Sequence, residues 1–349
     1  MRRRLRCFFD AKAPFLVCKA PRLDGEEFRG HGRKIPMHRK GARLTDFFRR
    51  IGRSLNDRAV ILLILTAALW GANGVVSRAA VGEVSPMTMV TLRWLVVCAV
   101  LLPLLRSQIG HYAGDLRRHW RYIALMAACG YTGFNVLFYL AGYYTSAVNI
   151  TLLQGSIPPM VLAGAALFKG IRVTPMQIVG MAVSFVGVGL IGTRGDLSHL
   201  GALDFNIGDL MLLAACALYA GYTIALRDRP HLPPMVFFAG MAIAAFAVSL
   251  PFFVGEIMMA RSYWPTPKGF ALVLFVGIGP SLISQLFFMR AVELIGPGRA
   301  GIFTNLTPLF GAFFAITLLG EPFHLYHAAA MALGLGGIGL AETGKRKHS

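Results

Sequence analysis

The sequence predicts an all-α integral membrane protein in which ten transmembrane helices form two inverted five-helix repeats around a central cavity. Of its 349 residues, 56% are hydrophobic and only 15% are charged, and the mean hydropathy is +0.60. The core of a soluble protein does not bury so large a fraction of apolar residues. The apolar residues also gather in long runs, and the order of key residues in the first half recurs in the second.

Ten apolar runs are long enough to be predicted as membrane spans. A helix needs about 20 mostly apolar residues to cross about 30 Å of hydrocarbon, and short polar breaks separate such helices. The predicted spans are 59–81, 86–105, 122–143, 147–168, 174–192, 208–226, 235–255, 269–290, 298–318 and 324–342.

The two halves of the chain match at an offset of about 149 residues. A repeat of this length indicates a duplicated bundle of helices rather than a solenoid of small units. The predicted first repeat covers 59–192 and the second covers 206–342. The matched pairs are Trp70 with Tyr219, Arg78 with Arg227, Asn135 with Gln285, Ala141 with Ala291, Pro159 with Pro308, and Gly187 with Gly336.

The distribution of lysine and arginine predicts that both termini lie in the cytoplasm, with the protein in the inner (plasma) membrane. With the N-terminus inside, the inner loops and the tail 343–349 hold thirteen basic residues, and the outer loops hold three. Basic loops resist translocation. Because each repeat has five spans, the second repeat would be inverted relative to the first.

The segment 1–58 differs from the rest of the chain, because it holds seventeen Lys and Arg against six Asp and Glu. We expect a disordered cytoplasmic arm that touches anionic headgroups. A mitochondrial presequence and an over-long reading frame with its true start at Met37 are alternatives, although four acidic residues argue against the presequence. Nucleic-acid binding lacks interleaved aromatics and a foldable module.

Three short motifs carry a resemblance to a known family. The first span reads Leu-Trp70-Gly71-Ala-Asn73, the second carries Leu-Arg93-Trp after Pro86, and the ninth ends in Leu-Leu-Gly320-Glu-Pro. With the duplicated order, this pattern resembles the drug/metabolite transporter superfamily, in particular its EamA-type bacterial exporters, over about residues 59–342. The resemblance implies a ten-span transporter with spans five and ten at the periphery.

Polar and aromatic side chains within the spans are the candidate solute site. A polar group in hydrocarbon costs free energy unless it faces a partner or a water-filled cavity. The candidate residues are Trp70, Asn73, Arg93, Asn135, Tyr139, Gln154, Tyr219, Tyr222, Gln285, Thr304 and Asn305.

Arg93 has two interpretations. A helix rise of 1.5 Å per residue puts it about 10 Å below the outer surface. It could face the cavity and bind an anionic group such as a substrate carboxylate, or it could pair structurally with carbonyls or with Glu83. Asn135 and Gln285, at matching positions, could bind a zwitterionic or polyhydroxylated solute or could join helices.

The predicted function is export of small metabolites, such as amino acids, related solutes or drugs, by alternating access. An intramembrane enzyme and a non-transporting scaffold are the alternatives, but the spans contain no predicted catalytic residue, metal site or cofactor motif. The carboxylates fall at span ends or in loops, so proton coupling has no obvious carrier. The expected partners are a small solute and the lipid bilayer, without nucleic acid, and a homodimer is left open.

Overall fold

The computed structural model describes residues 58–170, 173–193, 195, 206–296, 300–301 and 303–345, and no strand occurs among them. The predicted basic arm lies outside the described residues, except for Arg58. A short helix, Ala113–Arg118, connects the second and third of the apolar helices. In chain order, the apolar helices are α1 (Ala59–Ala79), α2 (Pro86–His111), α3 (Trp120–Ala141), α4 (Ala147–Lys169), α5 (Pro175–Gly192), α6 (Ile207–Ala225), α7 (Pro234–Met258), α8 (Pro267–Ile295), α9 (Thr304–Leu319) and α10 (Leu325–Lys345).

Seven of these helices, α1 to α4 and α6 to α8, are long and apolar enough to cross a membrane. Within the described residues, α5, α9 and α10 contain shorter apolar stretches of 10 to 17 residues. The predicted all-α, multi-span membrane fold is therefore confirmed. The number of ten spans stays a prediction.

Most helix ends lie within a few residues of the predicted spans, and the end of α2 and the start of α9 differ most. Helix α2 continues through Pro103 to His111, beyond the predicted end at residue 105. Helix α7 begins at Pro234, where the missing amide hydrogen costs little because the first N–H groups of a helix have no intrahelical partner. It then runs through Pro251 to Met258.

Helices of the first half pack against helices of the second half. Helix α1 packs on α8 and α9, and in the same way α6 packs on α3 and α4. Helix α2 packs on α7, and α5 packs on α10. When each helix of the first half is replaced by the corresponding helix of the second half, and the reverse, every pair named here becomes a pair that is also named here. This is the contact pattern expected of two related halves.

Local departures from the α-helix also recur between the halves. Helix α3 contains a π-helical segment at Ala128–Gly133, and α8 contains one at Gly277–Ile283. Helix α4 is tightened into a 3-10 turn at Gln154–Ser156, and α9 at Thr304–Leu306. Each irregularity thus occurs in the helix that has the corresponding place in the other half.

Helices α5 and α10 form a close pair through glycines. A Cβ atom added to Gly180 would lie 2.4 Å from the carbonyl oxygen of Gly337, and one added to Gly337 would lie 2.4 Å from that of Gly180. Backbones approach this closely only where neither residue has a side chain. Gly337 of α10 is therefore a helix-packing position.

Candidate functional site

Arg93, on α2, is buried among helices from both halves and is 5% exposed. Its Nε donates a hydrogen bond to Ser281 Oγ on α8 at 2.7 Å. Its Nη1 donates to Asn135 Oδ1 at 2.5 Å and to the Tyr139 hydroxyl at 3.1 Å, both on α3. A charged side chain is thus held by neutral groups inside the bundle.

The hydrogen bonds continue from α3 to α1 and make one network. The Tyr139 hydroxyl donates to Asn73 Oδ1 at 2.8 Å, while Asn135 Nδ2 donates to the backbone carbonyl of Tyr131. We call Asn73, Arg93, Asn135, Tyr139 and Ser281 the Arg93 cluster. Four of its five members were predicted as site residues from the sequence.

The π-helical segment of α8 positions Ser281. The Ser281 hydroxyl donates to the carbonyl oxygen of Val276, five residues earlier, at 2.7 Å, and its lone pairs are left to accept from Arg93. The neighbouring Pro280 carbonyl accepts a 3.3 Å hydrogen bond from Trp70 Nε1 on α1. Single-turn π segments of this kind occur frequently at functional sites, because the extra residue re-aims nearby groups.

In the part of the chain that the structure describes, Arg93 forms no ion pair. Glu83, its predicted structural partner, instead pairs with Lys268 at 3.0 Å and accepts a hydrogen bond from Thr266. The interpretation that Arg93 pairs with Glu83 is therefore wrong. The guanidinium carbon lies 5.7 Å from the centroid of the Trp94 ring and 5.8 Å from that of Tyr139, a weak substitute for an anion.

Aromatic rings extend from Arg93 towards α6. The Trp94 ring stacks on Tyr131, with centroids 4.7 Å apart and planes 3° apart. Tyr131 lies 5.6 Å from Tyr222, which lies 5.4 Å from Tyr219. The two predicted tyrosines of α6 therefore belong to an aromatic cluster that adjoins the Arg93 cluster.

The remaining predicted residues are half-buried and are not hydrogen-bonded to the Arg93 cluster within the described residues. Gln154 Nε2 donates to the carbonyl of Ile150, and Thr304 Oγ1 donates to that of Gly301, so both bonds stay within or beside their own helices. Gln285 and Asn305 have intermediate exposure. The predicted amide pair thus separates: Asn135 joins the cluster and Gln285 does not.

Ser281, Trp94 and Tyr131 were not predicted as site residues. Trp94 directly follows Arg93, and adjacent residues on a regular helix do not share a face. Tyr131 and Ser281 lie in the two π-helical segments. Matching glycine-containing segments at the repeat offset, around Gly130 and Gly279, are a sequence signal that could have identified Tyr131 and Ser281, and Ser281 is also a polar residue within a predicted span.

One end of the bundle is held together by acidic side chains; we call it the carboxylate end, and it contains Glu83, Asp209, Glu256 and Glu321. The buried carboxylate of Glu256, on α7, accepts hydrogen bonds from Ser85 Oγ at 2.7 Å and from the backbone N–H of Met87 at 3.1 Å and of Thr88 at 3.3 Å. These N–H groups belong to the first turn of α2, where a negative charge is favourable.

Glu321 acts in the same way on α4. Its two carboxylate oxygens accept from the backbone N–H of Ala147 at 2.9 Å and of Val148 at 3.0 Å. Both acidic residues belong to the second half of the chain, and both bind the N-terminus of a helix from the first half. Each therefore ties the two halves together.

Three further contacts between the halves lie at the carboxylate end. The Thr145 hydroxyl donates to Asp209 at 2.6 Å, and the hydroxyls of Tyr143 and Tyr263 are 2.8 Å apart. The third is the contact of Glu83, described above; the hydrogen bonds from Thr266 and Lys268 lower the pKa of the Glu83 carboxyl. Beside Tyr143, the space that α1, α2 and α3 of the first half enclose is too narrow for a water molecule.

A cavity of about 360 Å³ lies towards the opposite end, between α4 and α6. Its walls are mostly apolar and run from Met160 to Lys169 on α4 and from Ala217 to Ala225 on α6. Lys169, at the rim, forms an ion pair with Asp228. This cavity therefore lies between a helix of the first half and a helix of the second, away from the carboxylate end.

Comparison with known proteins identifies the kind of molecule that has this architecture. The chain is 23% identical over 283 residues to the uncharacterized transporter YyaM of Bacillus subtilis, a match that covers 80% of this chain and 91% of that protein. It is 24% identical over 296 residues to an uncharacterized transporter of Archaeoglobus fulgidus, covering 83% and 99%. It is also 24% identical over 307 residues to a protein of Streptantibioticus cattleyicolor named "Probable terminal-alkyne amino-acid exporter", covering 84% and 97%.

A solved crystal structure has the same fold. It superposes with a TM-score of 0.59 at 20% identity and covers 84% of this chain and 99% of its own chain. The EamA-like transporter family matches this sequence twice, at residues 57–193 and at residues 206–343. The chain is therefore a multi-pass membrane protein that belongs to the EamA-like transporter family.

Proposed function

We propose that this protein exports small metabolites of the amino-acid class across the inner membrane by alternating access. The observation that carries the proposal is the Arg93 cluster, in which polar groups of both halves meet inside an apolar bundle. Buried polar groups of this kind mark solute pathways in membrane proteins. The amino-acid class rests on the relative from S. cattleyicolor, which is named as an exporter of such a compound.

The proposed mechanism requires two halves that can exchange roles. The helix pairs named above, from α1 with α8 and α9 to α5 with α10, are converted into one another when the halves are exchanged, and they support such a relationship. The π-helical segments of α3 and α8 support it independently. The lysine and arginine distribution supports inversion of one half, with both termini in the cytoplasm.

In this orientation the carboxylate end faces outwards. The contacts of Glu256 and Glu321 then close the outer side, whereas the cavity between α4 and α6 lies towards the cytoplasm. Export would require the opposite state, in which these contacts break and the lysine end of α4 closes on α6. The contacts at the carboxylate end are thus the proposed outer gate.

Reconstituted vesicles provide the test of transport. The purified protein in liposomes should move L-propargylglycine, a terminal-alkyne amino acid, faster than protein-free liposomes do, as measured by mass spectrometry of the vesicle contents. A panel of other amino acids would define the solute range. Equal movement with and without protein across the panel would contradict the proposed solute class.

Alternating access has a separate test at the outer gate. Tyr143 and Tyr263 lie in contact across the halves. In a cysteine-free background, the double variant with Y143C and Y263C is treated with a cleavable cross-linker that reacts with both thiols. The cross-linked protein should lose flux and should regain it when the cross-link is cleaved. The single variant Y143C, treated identically, is the control. Unchanged flux through the joined protein would argue against a moving gate.

A further inference from the structure

We infer that the Arg93 cluster binds the carboxylate group of the transported solute, so that the protein selects monoanionic or zwitterionic solutes over neutral and cationic analogues. This inference rests on the proposed function, because it assigns a substrate class to the proposed transport site. Arg93 contributes the charge, and the aromatic cluster beside it contacts the rest of the solute.

Two hydrogen-bond donors at this place have no acceptor. Within the described residues, Arg93 uses Nε and Nη1, but Nη2 donates to no protein atom. The Trp94 indole N–H is buried and also lacks an acceptor. The guanidinium carbon lies 5.7 Å from the centroid of the Trp94 ring, so both donors belong to one small region. A buried donor without an acceptor is costly, as for the Trp94 indole N–H, and an anion with two oxygens could accept from this group and from Arg93 Nη2 together.

The charge of the site favours a carboxylate. Arg93 is the one lysine or arginine that is buried among the described residues. A buried cation without a counterion is strongly unfavourable, and a single negative charge compensates it. A phosphate carries about −1.5 to −2 at neutral pH and would leave part of its own charge uncompensated. A planar carboxylate also matches the fork of donors on a guanidinium.

Neutral oxygens occupy the place of the anion when the outer gate is closed. Asn135 Oδ1 and Ser281 Oγ accept from Arg93, and Ser281 comes from the second half of the chain. Separation of the halves would therefore remove one acceptor from Arg93. A solute carboxylate would replace it with a stronger, charge-assisted bond, so that solute binding favours the separated state.

The test compares three solutes that differ at one group. Liposomes containing the wild-type protein are given L-propargylglycine, its primary amide, or but-3-ynylamine, which lacks the carboxylate. We expect the acid to move on the order of 100-fold faster than the amide or the amine, because loss of one partner of a buried charge pair has an effect of that size. Equal rates for the acid and the amide would overturn the inference and leave the proposed function standing. No flux of any of the three, together with none of any amino acid in the panel, would overturn both.

Variants then locate the selectivity. R93Q should reduce the ratio of acid flux to amide flux to about one, and R93K should retain part of it. Arg78, which donates to the carbonyl of Gly142 at a helix end, provides the matched control R78Q, which should keep the wild-type ratio. A purely structural role of Arg93 would lower both fluxes together. If R93Q does not insert into the membrane, the comparison of the three solutes with the wild-type protein still tests the inference.

Discussion

Glu256 takes over the capping role that Ser85 would normally have. Ser85 precedes the first residue of α2, yet its hydroxyl caps none of the N–H groups of that helix. The carboxylate of Glu256, 171 positions later in the sequence, accepts from the Ser85 hydroxyl and from two N–H groups of the first turn. The start of a first-half helix is thus completed by a residue of the second half.

This relationship predicts that Glu256 stabilises the folded protein. E256Q should lower the free energy of unfolding by about 1–3 kcal/mol, because amide N–H groups cannot replace the lost acceptor at a buried helix start. Thermal unfolding in detergent measures the change. Glu293, which is exposed and pairs with Arg290 one turn away, provides the control E293Q, with an expected effect below about 0.5 kcal/mol. Equal melting temperatures for the two variants would contradict the prediction.

A steric prediction concerns Thr151, which lies against glycines of both α1 and α9. A Cβ at Gly74 would lie 2.3 Å from Thr151 Cγ2, and no other atom of Thr151 would be as close. A Cβ at Gly311 would be too close to Thr151 Cγ2 and, in addition, would lie 2.5 Å from Thr151 Cβ. G74A and G311A should each destabilise the protein by about 1–3 kcal/mol. The change T151S, which removes Cγ2 and keeps the hydroxyl, should rescue G74A and not G311A.

A double-mutant cycle of melting temperatures in detergent checks this difference. Serine retains the hydrogen bonds from residue 151 to the carbonyls of Ala147 and Val148, so T151S alone is the reference. Equal rescue of G74A and G311A would show that the helices shift to accommodate the added methyl groups.

Glu83 predicts an acid-sensitive contribution at the carboxylate end. Hydrogen bonds from Thr266 and Lys268 lower the pKa of this carboxyl in the folded state. Its stabilising effect is therefore complete above the unfolded pKa, about 4.3 for Glu, and is lost as the pH falls through the lower, folded value. The melting temperature of E83Q should consequently fall less than that of the wild type below about pH 4. Parallel curves for the two proteins from pH 7 to pH 3 would refute this assignment.

The amide pair predicts unequal effects on transport. Asn135 accepts from Arg93, whereas Gln285, at the matching position, is not bonded to the Arg93 cluster within the described residues. N135L should therefore lower the flux of L-propargylglycine by about tenfold to a hundredfold, the range expected when a charged group loses a buried hydrogen bond. Q285L should have a smaller effect. Flux assays on equal amounts of inserted protein make the comparison, and a larger loss in Q285L would reverse the assignment.

Much of the fold was predictable because membrane insertion imposes simple rules on sequence. The length of an apolar run sets a span, and α1 begins at Ala59, as predicted. The burial of Arg93 and Asn135 was also predictable, since both lie well within apolar runs. What they contact was not, because the partner of Arg93 on α8 is 188 residues away.

The sequence by itself determined the membrane class, the approximate spans and the family, because composition, run length and repeated order are properties of the chain alone. The tertiary structure decided that Ser281 and Trp94 belong to the site, that Gln285 is not hydrogen-bonded to the Arg93 cluster within the described residues and that Glu256 caps α2. The reason is geometric. One extra residue in a π-helical segment rotates the helix that follows by about 100°, so the 3.6-residue period no longer predicts which face points inwards. Contacts between distant helices then select the polar groups that meet.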